Sequence, residues 1–181
     1  MEILLYLVVD ASGSTVRHGF HGGAVRALPT VVADIEWATG GAAWLSVLSY
    51  AGDADLLVPM TRVNSLTVVP VPRAGGLSSL AAAFRLLATT IARDAALLTA
   101  DGLSPPRPTV LVVADDLPTD RDDDLLEARD KLDADLHVAL PADVAGLPVA
   151  GLRATRHRLE LGTSEQVSAS ISEAVRRILG A

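Results

Sequence analysis

Glu2–Val9 reads EILLYLVV and runs straight into Asp10-Ala11-Ser12-Gly13-Ser14. An unbroken apolar run of this kind predicts a central strand buried on both faces of a parallel sheet, since a strand with one wet face would alternate. The run ends at Asp10, far short of the roughly 20 residues that a membrane-spanning helix needs. It also lacks the basic start and cleavage site of a secretory signal, so a cytoplasmic location is expected. A second run of the same type, Thr109–Ala114 (TVLVVA), is again followed by an acid, Asp115.

Around these two strands the chain alternates between strand and helix patterns. The spacing of Ala24, Leu28, Val31, Val32 and Ile35 predicts a helix over about Gly23–Trp37, with Pro29 as a break or kink inside it and Thr39-Gly40-Gly41 as its stop. Trp44–Tyr50 reads as a second strand. Gly52-Asp53 is a two-residue hairpin signal leading to an antiparallel strand at Leu56–Met60, and Pro59 assigns that strand to the sheet edge. Ser78 or Ser79 is the expected N-cap of a long helix to about Leu98, with Leu80, Phe84, Leu87 and Ile91 as its apolar stripe. Asp122–Leu132 follows as an acidic-started helix and Leu136–Leu140 as a short strand. Arg156–Leu161 is a weaker strand, and Ser164–Leu179 a closing amphipathic helix. The pattern predicts an α/β fold with residues 1–181 as a single domain. Its form is a Rossmann-like open, mostly parallel sheet with one antiparallel edge strand and helices on both faces. Function in such sheets gathers at the carboxyl ends of the strands, where Asp10 and Asp115 lie.

Composition excludes several function classes. Half of the 181 residues are hydrophobic and only 3% aromatic, so the core must be aliphatic, and a disordered chain is ruled out. With no cysteine there is no disulfide, thiolate metal site or cysteine nucleophile. The net charge of −7 is carried entirely by Asp115–Asp135, which holds ten acids and three bases. No basic stripe stands out for a phosphate backbone, so neither nucleic acid nor membrane is expected as a partner. The Gly-rich phosphate loops of nucleotide-binding proteins are also missing, and the only lysine, Lys131, sits in the acidic segment.

Asp10, Ser12 and Ser14 place oxygen ligands at i, i+2 and i+4 on a turn that Gly13 allows to fold tightly. One carboxylate and two hydroxyls aimed at a common centre suit a hard cation such as Mg²⁺, which takes six oxygens and keeps some water. By itself the pentapeptide reads equally well as a strand-to-helix turn with polar caps. Other residues have plainer roles. His18 and His21 are read as exposed loop or helix-start residues, His137 as a satisfied core or edge histidine and His157 as a surface one, while Trp37 and Trp44 are expected to pack the core. The acids of Asp120–Asp124 offset the positive end of a helix dipole, yet their number exceeds what capping needs. They are read as a negative surface beside the site.

The three segments together resemble the von Willebrand factor A (VWA) family. Its metal-ion-dependent adhesion site (MIDAS) has the pattern Asp-x-Ser-x-Ser, then a distant Thr and a distant Asp. Asp10, Ser12 and Ser14 keep the first part directly after a hydrophobic strand. Gly75-Gly76-Leu77-Ser78-Ser79-Leu80-Ala81-Ala82-Ala83-Phe84 is similar to the middle segment, with Ser78 on the family's Thr. Ala114-Asp115-Asp116-Leu117-Pro118-Thr119-Asp120 is similar to the last, with Asp115 on the metal Asp and Asp116 replacing a Gly. The likeness runs from Ile3 to about Leu179 and is strongest to the small free-standing bacterial branch found beside tellurite-resistance and kinase–phosphatase genes. The resemblance implies a metal set of Asp10, Ser12, Ser14, Ser78 and Asp115 for Mg²⁺, with Mn²⁺ or Ca²⁺ as alternatives. It implies a non-enzymatic protein-interaction module in a cytoplasmic stress-response or signalling assembly, whose protein partner offers an Asp or Glu to the metal. A basic surface on that partner would match Asp115–Asp135. The alternative is a Mg²⁺-dependent phosphoryl-transfer or hydrolase enzyme using Asp10 and Asp115. Against it, no Lys or Arg lies in the three site loops except Arg73 and Arg121 at their margins.

Overall fold

A computed structural model describes residues 2–144 and 152–180. The first apolar run forms β1 (Ile3–Asp10), buried at every position. The elements that follow are α1 (Phe20–Thr39), β2 (Ala43–Tyr50), β3 (Ala54–Arg62), α2 (Leu80–Ala100), β4 (Thr109–Val113), α3 (Asp122–Asp130), β5 (Asp135–Pro141), β6 (Thr155–Leu159) and α4 (Ser164–Leu179). A 3-10 turn at Gly13–Val16 joins β1 to α1. The six strands form one sheet in the order β3-β2-β1-β4-β5-β6. Every pairing is parallel except β2 with β3, so the antiparallel strand carrying Pro59 is at the edge, as the sequence predicts.

Strand alternation divides the core into two layers. Ile3, Leu5, Leu7 and Val9 of β1 face α1 and α4, packing with Leu28, Val31, Ile35, Val167, Ile171 and Val175. Leu4, Tyr6 and Val8 point the other way, into a layer with Leu80, Phe84, Leu87 and Leu125 from α2 and α3. Both faces of β1 are therefore dry, which is why its sequence shows no polar alternation.

The helix predicted to run through Pro29 does so as α1, extending from Phe20 to Thr39 with the ring on the exposed side. Several local expectations need correction. The β2–β3 hairpin is a three-residue turn over Ala51–Asp53, closed by Tyr50 pairing with Ala54. Trp37 is 83% exposed rather than core, because it lies near the end of α1 on the side away from the sheet. Trp44 is half-buried against the α2 layer, its ring 4.4 Å below the Arg62 guanidinium. His157 is buried, not a surface residue, since β6 turns it toward α4, and its Nε2 lies 3.0 Å from Nδ1 of His137. No helix among the described residues is long and apolar enough to cross a membrane.

Candidate metal centre

The sheet order puts the site where it is. From β1 the chain moves first to β2 on one side and later to β4 on the other, so β1 and β4 diverge at their carboxyl ends. That switch point opens a crevice. Asp10 ends β1, and Asp115 follows β4 by two residues. The connecting loops are drawn over the crevice by main-chain hydrogen bonds. Gly13 N donates to the Gly76 carbonyl at 3.0 Å, Gly75 N to Ala11 at 2.8 Å, Ser79 N to Ala51 at 2.7 Å and Thr119 N to Ser78 at 2.7 Å. The glycine requirement falls on Gly76, whose φ of +83° few side chains would accept. Gly13 has no such angle, and a side chain there would meet the Gly76 carbonyl at 3.4 Å.

The structure brings all five sequence-predicted residues into one hydrogen-bonded set. Asp10 Oδ1 accepts from the Ser12 backbone N–H at 2.7 Å, and its Oδ2 accepts from the Ser78 hydroxyl at 3.1 Å. The Ser12 and Ser14 hydroxyls lie 3.1 Å apart, and Ser14 donates to Asp115 Oδ1 at 3.1 Å. Asp10, Ser12, Ser78 and Asp115 are buried, with Ser14 half-buried at the opening. Ser79, not Ser78, caps α2 by accepting from Ala82 N, which leaves Ser78 to face Asp10.

Three participants escape a reading of the sequence alone. Tyr50, fully buried at the end of β2, directs its hydroxyl to Asp10 and Ser78. An aromatic inside a strand reads as core, and only the Asp10–Tyr50 register of β1 and β2 reveals its second role. Asp120 belongs to α2 rather than to the start of α3. Its carboxylate accepts from the Ser79 hydroxyl at 2.7 Å and from Ala81 N at 2.9 Å. Thr119 donates its hydroxyl to the Ser78 carbonyl, so the two residues tie the Asp115 loop to the start of α2. Asp116 is exposed and accepts from its own neighbour, Leu117 N.

Burial and mutual repulsion set the electrostatics of the two carboxyls. Burial raises the Asp10 carboxyl above its ordinary range, opposed by hydrogen bonds from Ser12, Ser78 and Tyr50. Burial also raises Asp115, and the nearby charge of Asp10 adds to it, while the Ser14 hydroxyl opposes. Burial first and then the Asp10 charge push the Tyr50 phenol far up. Neither Asp10 nor Asp115 forms an ion pair with a basic side chain among the described residues. Two buried carboxylates with three hydroxyls and no protein cation fit a hard divalent ion. No group of three or more His, Cys, Asp or Glu suited to a metal occurs among the described residues, so transition-metal chemistry has no comparable set.

No protein-family model matches the chain, and no curated protein sequence does so either. Solved structures do. A von Willebrand factor type A protein from Catenulispora acidiphila superposes with TM-score 0.65 at 16% identity, over 98% of this chain and 42% of that one. The ArnB paralog VWA2 from Sulfolobus acidocaldarius gives TM-score 0.61 at 13% identity, over 96% of this chain and 45% of that one. The chain thus spans less than half the length of these two proteins. The SpRpn10 VWA domain is matched over 98% of this chain and 95% of its own, with TM-score 0.65 and 9% identity. At these identities the likeness is one of architecture, and this chain has the fold of the VWA domains.

Proposed function

We propose that this domain is a metal-dependent protein-interaction module. Asp10, Ser12, Ser14 and Ser78 would hold a divalent cation, Mg²⁺ or else Mn²⁺ or Ca²⁺, with Asp115 ligating directly or through water. The observation that carries the reading is the joining of these five side chains, drawn from three separate loops, in one buried hydrogen-bonded set. When bound, the cation supplies an attachment point for an anionic oxygen, and an exposed Asp or Glu on a protein partner is the natural donor. The chain's own residues do the rest. The Ser12 amide and the Ser78 hydroxyl hold Asp10 in place, and Thr119 and Asp120 fix the loop that bears Asp115. Asp116, turned to its own loop, leaves the set with two carboxylates rather than three.

A binding role is favoured over an enzymatic one because no Lys, Arg or His side chain hydrogen-bonds to the set among the described residues, and phosphoryl transfer relies on such groups. The acids of Asp115–Asp135 suit a partner with a basic surface, and the bacterial stress-response or signalling setting follows from the sequence resemblance. Calorimetric titration with Mg²⁺ and electron paramagnetic titration with Mn²⁺ test the reading. One saturable site is expected, lost in Asp10→Ala and in Ser12→Ala while the circular dichroism spectrum is retained. Unchanged affinity in both variants would overturn it, as would metal-dependent phosphatase or ATPase turnover abolished by Asp10→Ala.

A further inference from the structure

The strands of this sheet have a second end. Where β5 and β6 begin, at the end opposite the candidate metal centre, the surface holds a hollow of about 710 Å³. Three arginines line it, Arg107, Arg129 and Arg153, together with Thr155 and His137. The acid on the wall, Asp135, accepts from Arg107 Nε at 2.9 Å, and Asp133 takes another nitrogen of Arg107 at 2.9 Å. Arg107 is therefore neutralised twice over. Arg129 is not: one terminal nitrogen donates to the Leu132 carbonyl at 2.9 Å, but its Nε is buried and has no hydrogen-bond partner among the described residues. Arg153 is exposed and forms no ion pair among the described residues.

We propose that this hollow binds a phosphate group, with Arg129 and Arg153 as its charge partners and the Thr155 hydroxyl as a further donor. Two guanidiniums without carboxylate partners match the charge of about −1.5 to −2 on a phosphate monoester at neutral pH. The planar fork of each presents paired N–H donors to the oxygens of such a group. Arg107, fixed by its two acids, shapes the wall without adding net charge. The site is independent of the metal centre and does not rest on the function proposed for it.

His137 and His157 are hydrogen-bonded to one another, and His137 lines the hollow, so their ring signals report on it. The test is a nuclear magnetic resonance titration of the full chain with inorganic phosphate, and in separate arms with a nucleoside monophosphate and with acetate. Saturable shifts of His137 and His157, with His18 and His21 unmoved, are expected for phosphate. Tighter binding of the nucleoside monophosphate would assign the group to an ester, and tighter binding of phosphate to the free ion. Arg153→Glu, at an exposed position that folding tolerates, should weaken binding at least ten-fold, and Arg129→Gln should weaken it as well. Arg85→Glu, the same charge change at an exposed position on α2, should leave it unaltered. The proposal is overturned if the histidines do not respond, if acetate binds as tightly as phosphate, or if Arg85→Glu weakens binding as much as Arg153→Glu.

Discussion

Asp94 has no exposed surface, and it sits on α2 facing the α2–α3 layer of the core. Its charge is tolerated because both oxygens are used: Oδ2 accepts from the Tyr6 hydroxyl at 3.0 Å and Oδ1 from Arg93 at 2.8 Å. Burial, then the Asp94 charge, raises the Tyr6 phenol far above its usual range, so the tyrosine stays a donor at any ordinary pH. Tyr6→Phe should cost about 1–2 kcal/mol in urea denaturation, since it strands a buried acceptor, and Asp94→Ala about 3 kcal/mol. Arg93 is half-exposed, so Arg93→Ala should cost much less. At the proposed metal centre the balance runs the other way. Asp115→Asn removes one of two buried like charges, so it should raise the melting temperature in EDTA and abolish the further rise on adding Mg²⁺. The acid and two hydroxyls of Asp10–Ser14 were legible in the sequence because their spacing is local. Tyr50 and Asp120 were not, because their partners are distant along the chain, and only strand register and loop contact bring them together.

Between elements, the tightest fit is α1 on α4. A methyl group on Gly23 would come within 2.4 Å of Val167 Cβ, so Gly23→Ala must push the two helices apart. A loss of about 1–3 kcal/mol is expected, read from a thermal melt, despite the better helix propensity of alanine. The loop carrying Asp115 depends on α2 through Asp120, and Asp120→Ala should cost about 1 kcal/mol as a lost cap. It should also weaken Mg²⁺ binding without altering a ligand. Strands β5 and β6 are joined by the His137–His157 bond. Burial depresses both imidazoles, with the His137 and Arg177 charges adding to the effect at His157 and the Asp135 charge opposing it at His137. In the unfolded chain both titrate near about 6.5, so below that pH the unfolded state binds more protons and folding stability falls. The loss should begin as pH drops through that value and level off below the folded-state values, and His157→Gln should flatten it. Element types were readable throughout, since burial on two faces leaves a continuous apolar run and burial on one side leaves helical spacing. The hairpin length and the exposure of Trp37 were not, because each depends on how an element is oriented rather than on what it is.

Across the whole molecule, charge is unevenly distributed, with the acids of Asp115–Asp135 beginning at the candidate site and continuing along α3. Association with a basic partner should therefore weaken steeply from low to high salt, as measured by surface plasmon resonance, while Mg²⁺ affinity changes far less. The broad architecture was the most legible level of all, because strand and helix alternation leaves few topologies open. The order β3-β2-β1-β4-β5-β6 also sets a schedule on the ribosome. The first strand to be made ends up in the middle of the sheet, flanked on one side by β2 and on the other by β4, which begins only at Thr109. Until that later segment emerges, a strand apolar from Ile3 to Val9 has one unpaired edge, the kind of exposed surface that makes folding intermediates prone to aggregate. Pairing of that edge and completion of the candidate site both wait on the same stretch, Thr109–Asp120. A ribosome stalled before it would display a half-built sheet without the Asp115 half of the candidate site.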